Sequence, residues 1–317
     1  MINYKEKIRS EAKAFNRQVR NRENMGLVPD LQRLKINKKF YNNPWREPNF
    51  FNIQWGPIIS DIIKEIKKNK KKNYNVLEIG CGTGFLCLEI ARAGANIDGI
   101  DVSDESIFQA TDYLKKGFNS KIRKKINYMA GDALKYKFNK KYDFIIFYRS
   151  LHHFKKIDVL FKNLERFQNK NCKLLICEPL RKNFEINNSI FANIFRLALE
   201  TWIDYKVKLP KKINKAFIIK EQSKIFKEYK YVSKKRGYAQ SPMDNSTDDP
   251  KKVIKVISKF FRIKHVKYYD AFVDKLIGGL RGKNRFQIAR LIKEFDNYLI
   301  SQKIIKGTTL YLTAQKK

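Results

Sequence analysis

The chain has 317 residues and carries 68 Lys and Arg against 31 Asp and Glu, a formal net charge of +37. Its 43% hydrophobic residues can fill one large core or two modest ones. Four cysteines without a CxxC pair, beside three histidines, support neither a zinc framework nor a disulfide scaffold. The basic excess predicts attraction to nucleic acid, anionic membrane surfaces or acidic substrates. It is mostly lysine, spread along the whole chain beside abundant Ile and Asn, so compositional bias accounts for it equally well.

The opening MINYKEKIRSEAK is charged and lacks the apolar core of a signal peptide, and no run of about 18 uncharged apolar residues follows. A soluble cytoplasmic protein without a transmembrane segment is expected. Ile8, Ala12, Phe15 and Val19, four and three residues apart, place one apolar stripe on an otherwise charged helix, so residues 1–72 are expected to form a docked helical cover. FYNNPWREPNFFNIQW (40–55), aromatic and broken by Pro44 and Pro48, suits an ordered loop lining a pocket. Tyr41 and Trp45 are its candidate substrate contacts, with plain packing as the alternative. Pro57 opens a helix whose Ile59, Ile62, Ile63 and Ile66 share a face.

From Asn75 short apolar strands alternate with amphipathic helices: NVLEIG, FLCLEIARAG, NIDGIDV, DESIFQATDYLKKG capped by Ser103, INYMA, YDFIIFY, a helix from about Ile157 to Phe167, and CKLLICEP. This spacing predicts an α/β fold with a mostly parallel sheet covered on both faces, its core spanning 73–180. Residues 181–250 interrupt the alternation as a helical lid insertion. Within it Ile190, Ile194, Leu197 and Ala198 form one apolar row and Phe191, Phe195, Leu199 and Trp202 another. Burial of both rows is the default for such a helix. Residues 251–317 are expected to complete the core with strands FRIKHVKYYDAF and TTLYLTA and a helix carrying Ile288, Leu291, Phe295 and Leu299.

The turn after the first strand, LEIGCGTGF (77–85), carries Gly80, Gly82 and Gly84. In an open parallel sheet this turn normally forms part of the ligand site. Phe85 stands where a dinucleotide fingerprint needs Gly or Ala, and no Lys-Ser/Thr pair follows, so triphosphate is disfavoured and NAD is a weak second choice.

LEIGCGTG resembles the first motif of the class I S-adenosylmethionine (SAM) dependent methyltransferases, and the likeness extends over about residues 74–180. It implies a Rossmann-like seven-stranded fold with SAM as cofactor, held by Glu78, Gly80, Cys81, Gly82 and Gly84. It further implies that Asp101, with Val102, binds the ribose hydroxyls, that Asp132, with Ala133, faces the adenine amino group, and that Tyr148 lies near the methyl group. The charges agree: SAM has a sulfonium, two ribose hydroxyls and no phosphate, which suits carboxylates at strand ends.

YRSLHHF (148–154) follows the fourth strand, and its LHH is similar to the branch that includes the quinone-biosynthesis methyltransferases and many small-molecule enzymes. His153 or His152 is the candidate general base, with ordering of the loop as the alternative role. Arg149 is a candidate partner for an anionic substrate or for the SAM carboxylate, and Glu178 and Trp202 are candidates at the substrate mouth. NPPY and a Pro-Cys pair are missing, which disfavours two routes of base methylation. A small-molecule acceptor, methylated most simply on oxygen, is the expected partner. RNA is the alternative that the charge favours, and a non-catalytic SAM-binding or membrane-surface protein is a third. No metal site is expected, and the oligomeric state is not encoded legibly.

Overall fold

Seven strands form a single sheet in the computed structural model, which describes residues 3–27, 29–37, 43–69, 73–199, 214–230, 241–244 and 250–317. The strands are β1 (Asn75–Ile79), β2 (Asn96–Asp101), β3 (Ile126–Ala130), β4 (Tyr142–Tyr148), β5 (Gln168–Pro179), β6 (Phe261–Tyr269) and β7 (Thr309–Lys316), in the order β3-β2-β1-β4-β5-β7-β6. β1 to β5 pair in parallel, while β7 runs antiparallel to both β5 and β6. Strand order reverses between β1 and β4, so the carboxyl ends of these neighbours open a crevice.

The helices are α1 (Tyr4–Asn24), α2 (Pro48–Gln54), α3 (Gly56–Lys67), α4 (Phe85–Arg92), α5 (Asp104–Gly117), the one-turn α6 (Ser120–Arg123), α7 (Ile157–Leu164), α8 (Ile186–Ala198), α9 (Lys215–Lys230), α10 (Pro250–Phe260) and α11 (Arg285–Ser301). Period-two alternation sends successive strand residues to opposite faces, so each strand feeds two cores. Val76, Phe144, Ile146 and Leu175 pack with Ile62 and Ile66 of α3, Leu86 and Ile90 of α4 and Leu114 of α5. Leu77, Ile145, Phe147 and Ile176 pack with Leu160 and Phe161 of α7 and Ile257 of α10. This is the predicted Rossmann-like sandwich. A third apolar cluster joins Phe50 of α2, Ala192 of α8 and Ile225 of α9 to Phe272, Ile277 and, from α11, Ala289 and Ile292.

Three local expectations change. β5 begins at Gln168, ahead of the predicted Cys172, because a register shift in its pairing with β4 lets Gln168 oppose Tyr142. On α8 only one row is inward: Phe191 and Phe195 stack on Phe272, whereas Ile190 and Ile194 are exposed. On α11 the buried face is Ala289, Ile292, Lys293, Asp296 and Leu299, leaving the predicted Leu291 and Phe295 outside. Hydrogen bonding decides that rotation. Asp296 accepts from the backbone N–H groups of Ala271, Phe272 and Val273 at 2.8 to 3.1 Å, and Lys293 Nζ donates to Asp270 at 2.6 Å. A buried carboxylate with that many donors outweighs the exposure of two apolar side chains. No helix among the described residues is long and apolar enough to cross a membrane.

Candidate active site

The three glycines after β1 all have positive φ: 77° at Gly80, 54° at Gly82 and 80° at Gly84. Their surroundings differ. A Cβ at Gly80 would stand 2.4 Å from the Ser150 Cβ, so this glycine lets the turn pass under the loop after β4. A Cβ at Gly82 would meet nothing within 4 Å, which leaves its outer side open for a ligand. The turn is tied to the end of β2, where Gly80 and Cys81 donate to the Ile100 carbonyl at 2.7 and 3.1 Å. A cleft of about 180 Å³ lies over it, lined by Glu78, Gly80, Cys81, Gly82, Tyr148 and Trp45 of the predicted residues, and also by Val19, Arg22, Thr83, Phe85 and Gln109.

Glu78 is the buried charge of this cleft. Burial pushes its carboxyl up to about 8, against a 3.0 Å hydrogen bond in which the Cys87 thiol donates to Oε2. The folded, ligand-free protein therefore holds a proton that the unfolded chain releases near pH 4.5. Its stability falls as pH rises through this window and levels off above about 8. Glu78→Gln removes the dependence: relative to wild type the variant gains roughly 3 kcal/mol between pH 5 and 8. Thermal unfolding of both proteins across that range checks this, and parallel profiles would refute it.

Asp101 ends β2 and is half-buried, accepting from Gly82 N–H through Oδ2 and from Ser103 N–H through Oδ1, both at 2.8 Å. Burial raises its carboxyl above the ordinary range while these two bonds oppose the rise. A carboxylate has about four acceptor positions, so two bonds leave room for two hydroxyl donors. Val102 beside it is half-buried. Asp132, after β3, accepts from Leu134 N–H and from the Tyr4 hydroxyl, each at 3.0 Å, and Ala133 is buried beneath.

After β4 the chain forms the short turn Leu151–His153. Glu178 holds it from the end of β5: Oε1 accepts from Ser150 and Leu151 N–H at 2.8 and 2.7 Å, and Oε2 lies 2.6 Å from His152 Nδ1. Both oxygens are thus committed inside the fold, where sequence reasoning had Glu178 lining a mouth. His152 Nε2 points toward Asp244 at 4.0 Å. His153 Nδ1 instead faces Glu11 of α1 at 2.8 Å and the Ser241 hydroxyl at 3.0 Å, with Phe15 edge-on to its ring. Tyr148 is buried at the floor and contacts Phe85, which contacts Trp45 in turn. Arg149 lies over Trp55. Tyr41 and Trp202 fall outside the described residues.

Residues 52–205 match the family described as methyltransferase domain. This stretch is a methyltransferase domain. Curated relatives agree: the chain is 30% identical over 159 residues to a ubiquinone biosynthesis O-methyltransferase of Pelagibacter ubique (strain HTCC1062), covering 49% of this chain and 63% of that protein. It is 28% identical over 117 residues to malonyl-[acyl-carrier protein] O-methyltransferase 1 of Ilyobacter polytropus, covering 36% and 41%. The chain thus spans less than two thirds of the length of the curated relatives it matches. Among solved structures, magnesium protoporphyrin IX methyltransferase from Synechocystis PCC 6803 with bound SAH aligns at 13% identity and TM-score 0.45, over 82% of this chain and 83% of that one.

The methyltransferase domain receives its cover from outside its own span. α1 crosses the carboxyl edge of the sheet through Tyr4 to Asp132, Glu11 to His153, Asn16 to Asp104 and Ser103, and Arg20 to Glu105. The apolar stripe of α1 foretold docking, yet Glu11 went unread. Its signal was present: Glu11 lies three residues after Ile8 and four before Phe15, an acid on the docking face that needs a buried partner. Arg22, Thr83 and Gln109 in the cleft carried no comparable mark.

Proposed function

We propose that the chain is a SAM-dependent methyltransferase that acts on an oxygen atom of a small acceptor. The carrying observation is the open cradle at Gly82, set above buried Glu78 and beside Asp101. Its acidic groups suit SAM, an acid for a cation and an acid for paired hydroxyls, and Arg22 is the one basic residue among the described residues that line the cleft. When bound, SAM supplies an activated methyl group for in-line displacement at carbon. Glu78 loses its proton as a cationic ligand enters, and Asp101 fixes the hydroxyls that orient it. The aromatic series Trp45, Phe85 and Tyr148 forms an apolar wall, and Val19 and Leu27 cover the cleft, so water is kept from the line of transfer. A covered cleft supports a small acceptor over a polynucleotide, and the named O-methyltransferase relatives support oxygen.

A hydroxyl acceptor must lose a proton, and His152 is the better placed of the two imidazoles. Glu178 engages Nδ1, which orients the ring and leaves Nε2 to receive the proton. His153 pins α1 to the turn instead. Radiolabelled methyl transfer from SAM to a panel of phenols and carboxylic acids tests the activity. On any phenol that is turned over, His152→Asn should lower kcat about 100-fold with little change in KM for SAM. His153→Asn should instead lower the melting temperature. A larger kcat loss in the His153 variant would reverse the assignment.

A further inference from the structure

Arg149 is held where a side chain is costly. Its φ of 57° lies in the left-handed region that suits glycine, and its N–H donates to the Cys177 carbonyl at 2.7 Å, which locks the residue between β4 and the Leu151–His153 turn. Such backbone persists where surroundings over-determine it and clusters at ligand sites. Its guanidinium stacks on the Trp55 indole, Cζ 4.9 Å from the ring centroid, and forms no ion pair among the described residues. Arg92, by contrast, is paired with Asp30 and Glu89.

Glu178 is engaged by His152 and two backbone donors, and Asp270 pairs through Oδ1 with Lys293, its Oδ2 being buried without a hydrogen-bond partner among the described residues. The indole Nε1 of Trp55 is buried and lacks a hydrogen-bond partner among the described residues. A second guanidinium, Arg181, lies close enough to feel the charge of Arg149, and Asp244 and Asp274 act on it in the opposite sense. The Arg149 guanidinium and the Trp55 indole N–H thus stand without an acceptor among the described residues, Arg149 one residue beyond Tyr148 of the cleft.

We infer that Arg149 and Trp55 recognise an anionic group, a carboxylate or a phosphate, carried by the methyl acceptor. The planar guanidinium fork offers two parallel N–H donors to such a group, and the indole N–H offers a third. This rests on the methyltransferase reading for the word acceptor, though the anion site itself does not.

The test is calorimetric titration of the protein, saturated with S-adenosylhomocysteine, with benzoate, phenyl phosphate and neutral benzamide. At least one anion should bind tenfold or more tightly than benzamide, and the order of benzoate and phenyl phosphate identifies the group. Arg149→Gly, which suits the left-handed backbone, should melt no lower than wild type, keep S-adenosylhomocysteine affinity within threefold and lose the preference for anions. Trp55→Phe, which deletes the N–H and keeps a ring, should weaken that preference, and it supplies the decisive arm if the glycine variant is unstable. Equal binding of all three probes by wild type, or a preference that survives both substitutions, overturns the inference. A tenfold loss of S-adenosylhomocysteine affinity in Arg149→Gly also overturns it, because Arg149 would then hold the cofactor's own carboxylate. Failure of wild type to bind S-adenosylhomocysteine counts against the methyltransferase reading alone, and the same titration without it still judges the anion site.

Discussion

Asp101→Ala is expected to weaken S-adenosylhomocysteine binding about 100-fold or more, because two charge-assisted hydrogen bonds to hydroxyls are lost together. The same change strips the Gly82 and Ser103 N–H groups of their acceptor. Stability should therefore drop as well, by about 1 to 3 kcal/mol. Asp101→Asn separates the two effects: its amide oxygen can still accept from one backbone donor, while its NH2 cannot accept from the hydroxyls as a carboxylate oxygen does. Calorimetry and urea unfolding on both variants should show binding lost in each, with stability partly regained in the asparagine variant. Full binding by Asp101→Ala would remove Asp101 from the site.

The glycines of the turn should separate just as sharply. Gly80→Ala forces a methyl group to 2.4 Å from the Ser150 Cβ at a positive φ, so the loop after β4 must move. A loss of about 3 kcal/mol or more is expected, with little folded protein at 37 °C. Gly82→Ala meets only the backbone penalty of a left-handed alanine, about 1 to 2 kcal/mol, since its Cβ enters open space. That space is the proposed ligand position. The variant should fold with a modestly lowered melting temperature and bind S-adenosylhomocysteine at least about tenfold more weakly. The reverse ranking in stability would contradict the arrangement of the turn.

The sheet was legible because its signal is local. Apolar runs such as YDFIIFY, buried on both faces, can hardly be anything but central parallel strands. The glycine turn and Asp101 were legible for a related reason, since both stand at fixed offsets from strand ends. What escaped was long-range pairing of polar groups. Glu11 and His153 are far apart in the chain, and nothing near either residue announces the other. The rotation of α11 escaped in the same way: its stripe of Ile288, Leu291, Phe295 and Leu299 is a sound amphipathic pattern, overruled by Asp296 reaching the backbone of residues 271–273. Arg149 shows the opposite limit. Its residue type invited an anion, but only the backbone angle, the indole beneath it and the lack of an ion pair among the described residues make that invitation specific.

The charge of +37 takes no part in this account of the cleft. Glu78, Asp101 and Asp132 are acidic, and in the proposed reading their placement favours a ligand without phosphate.

The most direct test is therefore a calorimetric comparison of S-adenosylhomocysteine with NAD on the wild-type chain. One site per chain with Kd in the micromolar range, roughly 1 to 100 μM, is expected for S-adenosylhomocysteine, and no measurable heat for NAD. Tighter binding of NAD, or no binding of S-adenosylhomocysteine at millimolar concentration, would contradict the assignment of the cradle at Gly82.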